Sequence, residues 1–444
     1  MLNLREYRRK SDRLADHLPW AALVGVGIVL NKDGSFQRTF RFRGPDLESA
    51  TESELVAACA RINNVLRRFG SGWALFFEAD RFEAAGYPDS LFPDAATKLI
   101  DDERLAGFEV GADRHFDSAC YLTLVFMPPA DATSRAERGL IERDQIQRSR
   151  DWKAELSTFV AETNKAFDLF GQIVPDIEML DNTQTLTYLH QTVSAKRHPV
   201  SPPDIPTYLD AILADTPLSG GLEPMLGGQH LRTVTILGFP NVTCPGLLDA
   251  LNYLDFPYRW STRFIALDKS EANKALVKIR RQWFNKRKSI AVMLREVVHN
   301  EPVQLLDTDA DNKVVDADQA LQALGGDHVS FGYVTITVTV MDENAAAVDE
   351  KVRAIERIIN GLGFTTIRES INAVEAWLGT VPGHLYANVR QPLIHTLNLS
   401  HLMPLSSVWA GPERNEHLGG PPLFYAETTG STPFRFSTHV GDVG

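Results

Sequence analysis

The amino-acid sequence predicts an α+β protein that consists of two tandem ferredoxin-like (split βαβ) units with antiparallel sheets. The first observation is an order of elements (strand–helix–strand, an insertion, strand–helix–strand) that is typical of this fold. The second is that the order occurs twice, at an offset of roughly 190 residues, as an internal repeat would. The third is a long apolar stripe at helical spacing inside the second copy, which predicts a helical insertion there. A proline-rich stretch after the second copy predicts a loop-rich C-terminal segment.

A hairpin turn and an amphipathic helix are the clearest elements of the first unit. Asp33 and Gly34 predict the turn, and residues 35–42 alternate as a strand does. Thr51 and Glu54 form a capping box that begins a helix. The apolar residues that follow are spaced 4-3-4-3 and share one helical face: Leu55, Cys59, Ile62, Leu66 and Phe69. Later elements of this unit are strands over 73–79 and 119–127, a long helix with apolar residues from Leu156 to Phe170, and a short strand near 173–177.

The second unit repeats this order. Strands are predicted over 231–239, 260–267 and 329–341, a short helix over 247–254, and a closing strand over 364–367. The last helix carries Val348, Val352, Ile355, Ile359 and Leu362, again spaced 4-3-4-3, with Asp342 as a suitable N-cap. Beyond residue 370 the chain turns loop-rich, and two short strands over 423–427 and 433–438 are expected to form a closing hairpin.

The insertion of the second unit is the most helical part of the sequence. Its apolar stripe runs through residues 269–298, and a second, shorter helix is predicted over 316–324, so the two can form a projecting helical hairpin. The face opposite the stripe carries Arg280, Arg281, Lys286, Arg287 and Lys288. This basic face is a candidate contact for nucleic acid, acidic lipid head groups or an acidic partner. The alternative is an ordinary solvated helix face.

Composition limits the class of protein. The 444 residues are too many for one compact core and suggest about two or three domains. The hydrophobic content of 44% excludes wholesale disorder. The formal net charge of −12 argues against a main task of gripping nucleic acid or an anionic membrane. The three cysteines, Cys59, Cys120 and Cys244, are far apart, which excludes a disulfide framework and indicates reduced thiols in the cytosol.

No segment of the sequence is suited to cross a membrane. The longest apolar run, residues 21–30, is much shorter than the roughly 20 residues that a spanning helix needs. The N-terminus is polar and basic and lacks the apolar core of a secretory signal. Contact with a membrane is therefore expected to be peripheral or to depend on partners.

No catalytic constellation emerges from the motifs. The sequence contains neither a G-x-x-x-x-G-K-[ST] phosphate loop nor a G-x-S-x-G elbow, so no catalytic or cofactor-binding residue is predicted. Asp307, Asp309 and Asp311 resemble the first half of a calcium loop. However, Asn312 stands where a glycine is wanted, and Asp318 stands where a bidentate glutamate is usual. The alternative is a solvated loop whose aspartates cap the helix over 316–324.

One strand motif resembles an RNA-recognition signature. Residues 331–334, Phe-Gly-Tyr-Val, match the middle of the pattern in which aromatic side chains on an open sheet face stack on bases. The leading basic residue and the final aromatic residue of that pattern are missing. Core packing is the alternative explanation for these aromatic residues.

Several stretches of the sequence show a further resemblance, at residues 18–20, 31–38, 42–47, 258–264, 282–288, 398–405 and 409–413. They resemble TrbE-like conjugal transfer ATPases, in the CagE/TrbE/VirB family of type IV secretion ATPases. The resemblance extends in order over essentially the whole chain. It implies that the chain is the N-terminal domain of a secretion motor, and that a P-loop motor domain would follow a segment like 433–444. ATP and Mg would then be bound only in that absent downstream domain, and this chain is predicted not to hydrolyse ATP.

The resemblance also implies a role and a location. In this family, N-terminal domains of this kind are associated with docking to inner-membrane secretion subunits, with self-association, and with the cytoplasmic face of the bacterial inner membrane. The predicted division is a first α+β unit over 1–200, a second over 201–369 with its insertion at 268–327, and a connector over 370–444. The leading hypothesis is a docking and oligomerisation domain. The alternatives are a nucleic-acid-binding module that uses the sheets or the helix over 280–288, and a stand-alone enzyme with an unrecognised site.

Overall fold

A computed structural model describes most of the chain. The described residues are 13–46, 49–84, 86–87, 91–110, 115–128, 152–205, 207–240, 242–287, 308–387, 389–428 and 431–438, and their side chains are described except at 110, 282–287 and 308–315. The described α-helices are α1 (Leu14–His17), α2 (Glu52–Leu66), α3 (Ala95–Val110), α4 (Trp152–Gly171), α5 (Asn182–Val193), α6 (Leu209–Leu213), α7 (Lys269–Arg287), α8 (Thr308–Gly325), α9 (Ala345–Gly361), α10 (Ala373–Leu378) and α11 (Thr396–Leu402). A 3₁₀ helix spans Asp249–Tyr253.

The strands fall into one large sheet and a separate hairpin. In chain order they are β1 (Trp20–Gly25), β2 (Ile28–Asn31), β3 (Phe36–Arg43), β4 (Trp73–Glu83), β5 (Phe116–Phe126), β6 (Asp176–Met179), β7 (Leu218–Ser219), β8 (Met225–Leu226), β9 (Gln229–Gly238), β10 (Tyr258–Ala266), β11 (Phe331–Asp342), β12 (Thr365–Arg368), β13 (Leu393–His395), β14 (Phe424–Ala426) and β15 (Phe434–Phe436). Strands β14 and β15 form the hairpin that the sequence predicts near the C-terminal end.

The predicted duplication is present in the sheet. In the first unit the neighbouring strands are β6, β3, β5 and β4, and in the second they are β12, β9, β11 and β10, all antiparallel to their neighbours. Both sets therefore have the order fourth, first, third, second, which a split βαβ unit produces. The two tandem ferredoxin-like units that the sequence predicts are confirmed.

The two units share one continuous sheet. Strand β4 of the first unit pairs with β10 of the second in an antiparallel register that runs from Tyr258 opposite Arg81 to Ile265 opposite Ala74. Thirteen of the described strands belong to this sheet. Because β4 and β10 are each the second strand of their unit, the pairing covers an edge that each unit would otherwise expose.

Helices cover the sheet on one face as the periodicity predicts. Helices α2, α4 and α9 pack there on one hydrophobic cluster that extends across both units. The four inward residues of α9 (Val348, Val352, Ile355 and Ile359) are fully buried, as are Val334, Ile336, Val338 and Val340 on β11. Every second residue of a strand points to this face of the sheet, and residues three or four apart in a helix point back toward it. The apolar residues of the two elements therefore meet.

The other face of the sheet is also covered. Helices α5, α6 and α10 pack there on a second cluster that includes Trp20 and Trp377. A third cluster explains the aromatic motif at Phe331, whose side chain is only 3% exposed and packs at the base of the α7–α8 hairpin. A Cβ atom at Gly332 would lie 2.4 Å from the Phe264 ring, so close packing accounts for that glycine. Phe331 therefore belongs to the core and does not stack on bases.

Several elements differ from the sequence prediction. Helix α3 lies in what reads as a polar insertion, and helix α8 begins at Thr308, eight residues before the predicted start. Asn344, not Asp342, caps α9, because the Asp342 carboxylate pairs with Lys351 at 2.8 Å. Helices α10 and α11 lie in the segment that the sequence predicts to be loop-rich. The domain boundaries at 200 and 369 remain predictions.

Candidate functional site at the junction of the two units

A cavity of about 630 Å³ opens beside the β4–β10 junction. Asp80 and Arg259 line it from the two paired strands, and Arg197 lines it from the segment that follows α5. Lys351 of α9 and Trp377 of α10 complete the walls. The cavity therefore touches both units and the helices that cover the sheet.

A buried ion pair crosses the junction at the base of this cavity. Arg259 Nε donates to Glu78 Oε1 at 2.9 Å and Arg259 Nη2 donates to Glu78 Oε2 at 2.6 Å, a bidentate geometry. The two side chains are 6% and 1% exposed. Arg259 also donates to the backbone oxygen of Thr192, and the Tyr188 hydroxyl donates to Glu78 Oε2. Most of the hydrogen-bonding capacity of both charges is used, which a buried pair requires.

The titration of this pair is set by burial and by the partner. Burial lowers the pKa of Arg259, but the Glu78 carboxylate outweighs that effect and raises it above its ordinary value. Burial raises the pKa of the Glu78 carboxyl, and the Arg259 guanidinium opposes the rise. Since a guanidinium stays protonated in proteins, Arg259 carries the permanent charge that Glu78 must compensate.

A second ion pair ties the segment after α5 to the same strand. Arg197 donates both Nη atoms to the Asp80 carboxylate, at 2.8 and 2.7 Å, and its guanidinium lies 5.0 Å from the centre of the Phe82 ring. Beside it the rings of Tyr121 and Tyr188 stack with their centres 4.2 Å apart. The junction is thus fixed by β4, β10 and the segment after α5 together.

The charges on the cavity wall balance one another. Four acidic residues (Asp80, Glu83, Asp342 and Glu343) face four basic ones (Arg81, Arg197, Arg259 and Lys351). Asp80, Asp342, Arg197, Arg259 and Lys351 form the ion pairs given above. Among the described lining residues no cysteine or histidine stands ready as a nucleophile or base. The ion pair between Glu78 and Arg259 holds the two units in register.

The predicted basic face lies on α7, away from this cavity. Arg280 Nε lies 2.8 Å from Asp318 Oδ1 on α8, so this arginine joins the two helices of the insertion. Arg281 is exposed, and so are Lys274 and Lys278 on the same helix. The side chains of Lys286 and Arg287 and the whole of Lys288 lie outside the described residues.

The aspartates of the predicted calcium loop lie at the start of α8. Asp309 and Asp311 are in its first turns, so their backbone is helical and does not form a loop. Side chains two residues apart on a helix do not face each other. Asp307 and the side chains of the other two lie outside the described stretches of the chain, and cation binding by them remains a prediction.

No sequence motif identifies the network of charged residues at the β4–β10 junction. Glu78 and Asp80 interrupt a run of buried apolar residues in β4, and a buried carboxylate needs a compensating partner. That signal is visible in the sequence, but the partner is not, because Arg259 is 181 residues from Glu78. Only the sheet topology brings the two together.

Among the described residues, no helix combines the length and the apolar character that a bilayer crossing requires.

Comparisons with known proteins identify relatives over the whole chain. The family model for the type IV secretion system ATPase VirB4/TrbE, N-terminal domain, matches residues 27–134. A second model, the CagE, TrbE, VirB family, component of type IV transporter system, matches residues 301–390.

Three curated relatives illustrate the similarity. The conjugal transfer protein TrbE of Rhizobium radiobacter is 35% identical over 465 residues, which cover 100% of this chain and 56% of that protein. The type IV secretion system protein virB4 of Brucella melitensis biotype 1 is 21% identical over 447 residues, 96% of this chain and 50% of that protein. The type IV secretion system protein PtlC homolog of Bordetella bronchiseptica is 22% identical over 448 residues, 97% of this chain and 51% of that protein. The chain spans about half the length of each of these relatives. It belongs to the CagE/TrbE/VirB family of type IV secretion proteins, with TrbE-like conjugal transfer proteins among its relatives.

Proposed function

We propose that this chain is the docking and oligomerisation domain of a conjugative DNA-transfer ATPase. The observation that carries the proposal is the similarity to TrbE over the full 444 residues, together with the match to the N-terminal domain of VirB4/TrbE. In this proposal ATP and Mg are bound outside these residues. The partners are inner-membrane secretion subunits and further copies of the chain, at the cytoplasmic face of the inner membrane.

The rigidity of the sheet supports a scaffolding role. A ladder of eight residue pairs and the bidentate Glu78–Arg259 ion pair fix the units to each other. A docking domain needs such rigidity, because side chains on a fixed backbone lose less freedom when a partner binds.

The α7–α8 hairpin supplies the surface that we propose for docking. Its base packs through Ala272, Leu276 and Leu324 against the sheet. Lys274, Lys278 and Arg281 are exposed on α7, and residues 272–295 contain eight basic residues and no acidic one. Such a surface attracts an acidic partner and makes binding dependent on ionic strength.

A binding experiment tests this role. The chain is mixed with membrane vesicles from cells that contain the other secretion subunits and with vesicles from cells that lack them. We expect binding only to the first kind, reduced several-fold by Lys278→Glu with Arg281→Glu. The matched control, Lys153→Glu with Lys165→Glu on α4, is expected to bind normally. Equal binding to both kinds of vesicle, or equal binding by the two double variants, would contradict docking through the hairpin.

An activity measurement tests the second half of the proposal. The chain alone is expected to show no magnesium-dependent ATP hydrolysis above the buffer background. Light scattering after gel filtration then measures self-association over a range of protein concentrations. Hydrolysis that persists after repurification, or a strictly monomeric chain at the highest concentration, would count against it.

Binding of single-stranded nucleic acid is the second candidate. The basic residues of α7, with no acidic residue among them after Glu271, favour it, whereas the buried aromatic residue on β11 does not. The same Lys278→Glu, Arg281→Glu variant is expected to lose binding of single-stranded DNA at low salt, and wild-type binding is expected to fall steeply as salt rises. No binding at low salt would dismiss this candidate.

A further inference from the structure

A cluster of metal-ligating side chains lies beside α5 and α6, apart from the proposed docking surface. His190 is in the last turn of α5, His198 is in the segment after it, and Asp215 follows α6. One ligand atom from each of the three lies within 4.8 Å of the other two. The rings of His190 and His198 have their centres 4.5 Å apart.

Asp215 is oriented as a metal ligand is. Its Oδ1 atom accepts hydrogen bonds from the hydroxyls of Ser194 and Thr216, both at 2.8 Å. Its Oδ2 atom is thereby directed to His190 Nε2, at 3.2 Å. Hydrogen bonds of this kind to the non-ligating oxygen are typical of the shell that surrounds metal ligands. Burial raises the pKa of Asp215, but the two hydroxyls and the neighbouring His190 and Lys196 hold it well below the usual range, so the carboxylate is ionised.

His190 supplies an independent observation. Its side chain is 1% exposed, and Nδ1 makes no hydrogen bond to any described residue. Nε2 contacts the Asp215 carboxylate at 3.2 Å, but without the alignment of a hydrogen bond. A buried imidazole with so few interactions is costly, because it has lost its hydrogen bonds to water. A metal ion between Nε2 and the carboxylate would give that nitrogen a well-directed interaction.

We propose that His190, His198 and Asp215 bind a divalent transition-metal ion, with Zn²⁺ as the best match. Two imidazoles and one carboxylate are ligands that zinc accepts, whereas calcium and magnesium prefer oxygen alone. In a tetrahedral zinc site with bonds of about 2.0–2.1 Å, neighbouring ligand atoms are about 3.3–3.5 Å apart. The distance between His190 Nε2 and Asp215 Oδ2 is already close to this value, and the exposed His198 side chain can close the remainder. Water would occupy the fourth position.

Lys196 gives the proposal a specific consequence. Its Nζ atom lies 3.2 Å from the same Oδ2 atom, and its side chain is 63% exposed. The ammonium group and a metal ion therefore compete for one carboxylate oxygen. An exposed ion pair of this kind contributes little to stability, so the lysine can be displaced.

The site would act on the junction as well as on itself. Arg197, which holds Asp80 in the junction, stands between Lys196 and His198 in the sequence. Metal binding would fix His198, which follows this arginine, to His190 of α5 and to Asp215 after α6. The inference goes beyond the proposed docking function and does not depend on it.

Metal titration of the purified chain tests the site. The untagged chain is treated with a chelator and titrated with Co²⁺ and then Zn²⁺, and the bound metal is counted after gel filtration. We expect one ion per chain and the visible absorption of tetrahedral cobalt. His198→Ala and Asp215→Asn are expected to weaken binding at least tenfold, whereas His328→Ala, at an exposed histidine elsewhere, leaves it unchanged. Lys196→Ala is expected to tighten binding.

The outcomes separate the proposal from its rivals. His198 is exposed, so the unfolding temperature of metal-free His198→Ala is expected to match the wild type, and far-UV circular dichroism verifies the fold of both variants. Absence of bound metal, or equal binding by His198→Ala, Asp215→Asn and His328→Ala, would overturn the site. Weaker or unchanged binding in Lys196→Ala would also contradict it, since the ion would then not be at Asp215 Oδ2.

Discussion

The β4–β10 junction and the α7–α8 hairpin use the same kinds of side chain in opposite ways. At the junction Arg259 and Glu78 are almost fully buried and make two charge-assisted hydrogen bonds to each other. On the hairpin Arg280 and Asp318 are 49% and 43% exposed and meet through one contact. Burial therefore decides what a charge does here. The junction charges hold the fold, and the hairpin charges remain available to solvent and to partners.

The largest expected effect breaks the junction pair. Arg259→Ala leaves the Glu78 carboxylate buried without its partner and is expected to destabilise the fold by about 3–5 kcal/mol. Chemical denaturation followed by tryptophan fluorescence measures the change. The double variant Glu78→Leu with Arg259→Met removes both charges and is expected to recover more than half of the loss. A loss below about 1 kcal/mol in the single variant would show that the pair does not hold the junction.

The next largest effect is expected at Asp249, a buried carboxylate that, unlike Glu78, forms no ion pair with a described residue. Asp249 in the 3₁₀ helix is 5% exposed, and burial raises its pKa to about 6, although the Ser406 hydroxyl, which donates to it, has a lowering effect. Because the folded pKa lies above the unfolded one, its contribution to stability is complete below about pH 4 and is lost as the pH rises through about 6. Asp249→Asn is expected to gain about 2 kcal/mol over wild type between pH 4.5 and 7.5.

Thermal unfolding at the two pH values measures this gain, and all other titrating groups cancel in the difference between variant and wild type. Asp204→Asn, at an exposed position, is the control and is expected to follow the wild type. The same pH dependence in Asp249→Asn and in the wild type would show that Asp249 does not titrate in this window.

The smallest effect is expected on the hairpin. Arg280→Ala removes a half-exposed ion pair and is expected to cost less than about 1 kcal/mol, with a dependence on salt. The measurement is the same denaturation at low and high ionic strength. A loss as large as that of Arg259→Ala would end the distinction between the two regions.

Local patterns in the sequence predict most of the helical layer to which α2, α4 and α9 belong. The capping box is present, with Glu54 N donating to Thr51 Oγ1 and Thr51 N donating to Glu54 Oε2. The inward face of α9 is buried as its 4-3-4-3 spacing predicts. Such features depend only on neighbours within one or two turns, so the sequence contains all the information that they need.

Helix α5 is an element that local sequence patterns do not predict. Polar residues (Thr185, His190 and Thr192) are buried beside Leu186 and Leu189, so the buried face of the helix shows no apolar stripe with a period of 3.6. The candidate metal site is not predictable from the sequence for another reason. His190, His198 and Asp215 come from three separate segments and match no local spacing. Their proximity depends on how α5 and α6 pack on the sheet, which no short pattern specifies.

The antiparallel pairing of β4 with β10 also has a consequence during synthesis. Asp80 emerges 179 residues before Arg259, its neighbour across the ladder. At about 5–20 residues per second, the edge of β4 waits roughly 10–40 s for its partner strand. An apolar edge left open that long invites pairing with other nascent chains, and inward-pointing charges discourage such pairing. Glu78 and Asp80 are therefore expected to discourage such pairing until Arg259 and Arg197 are synthesised and neutralise them.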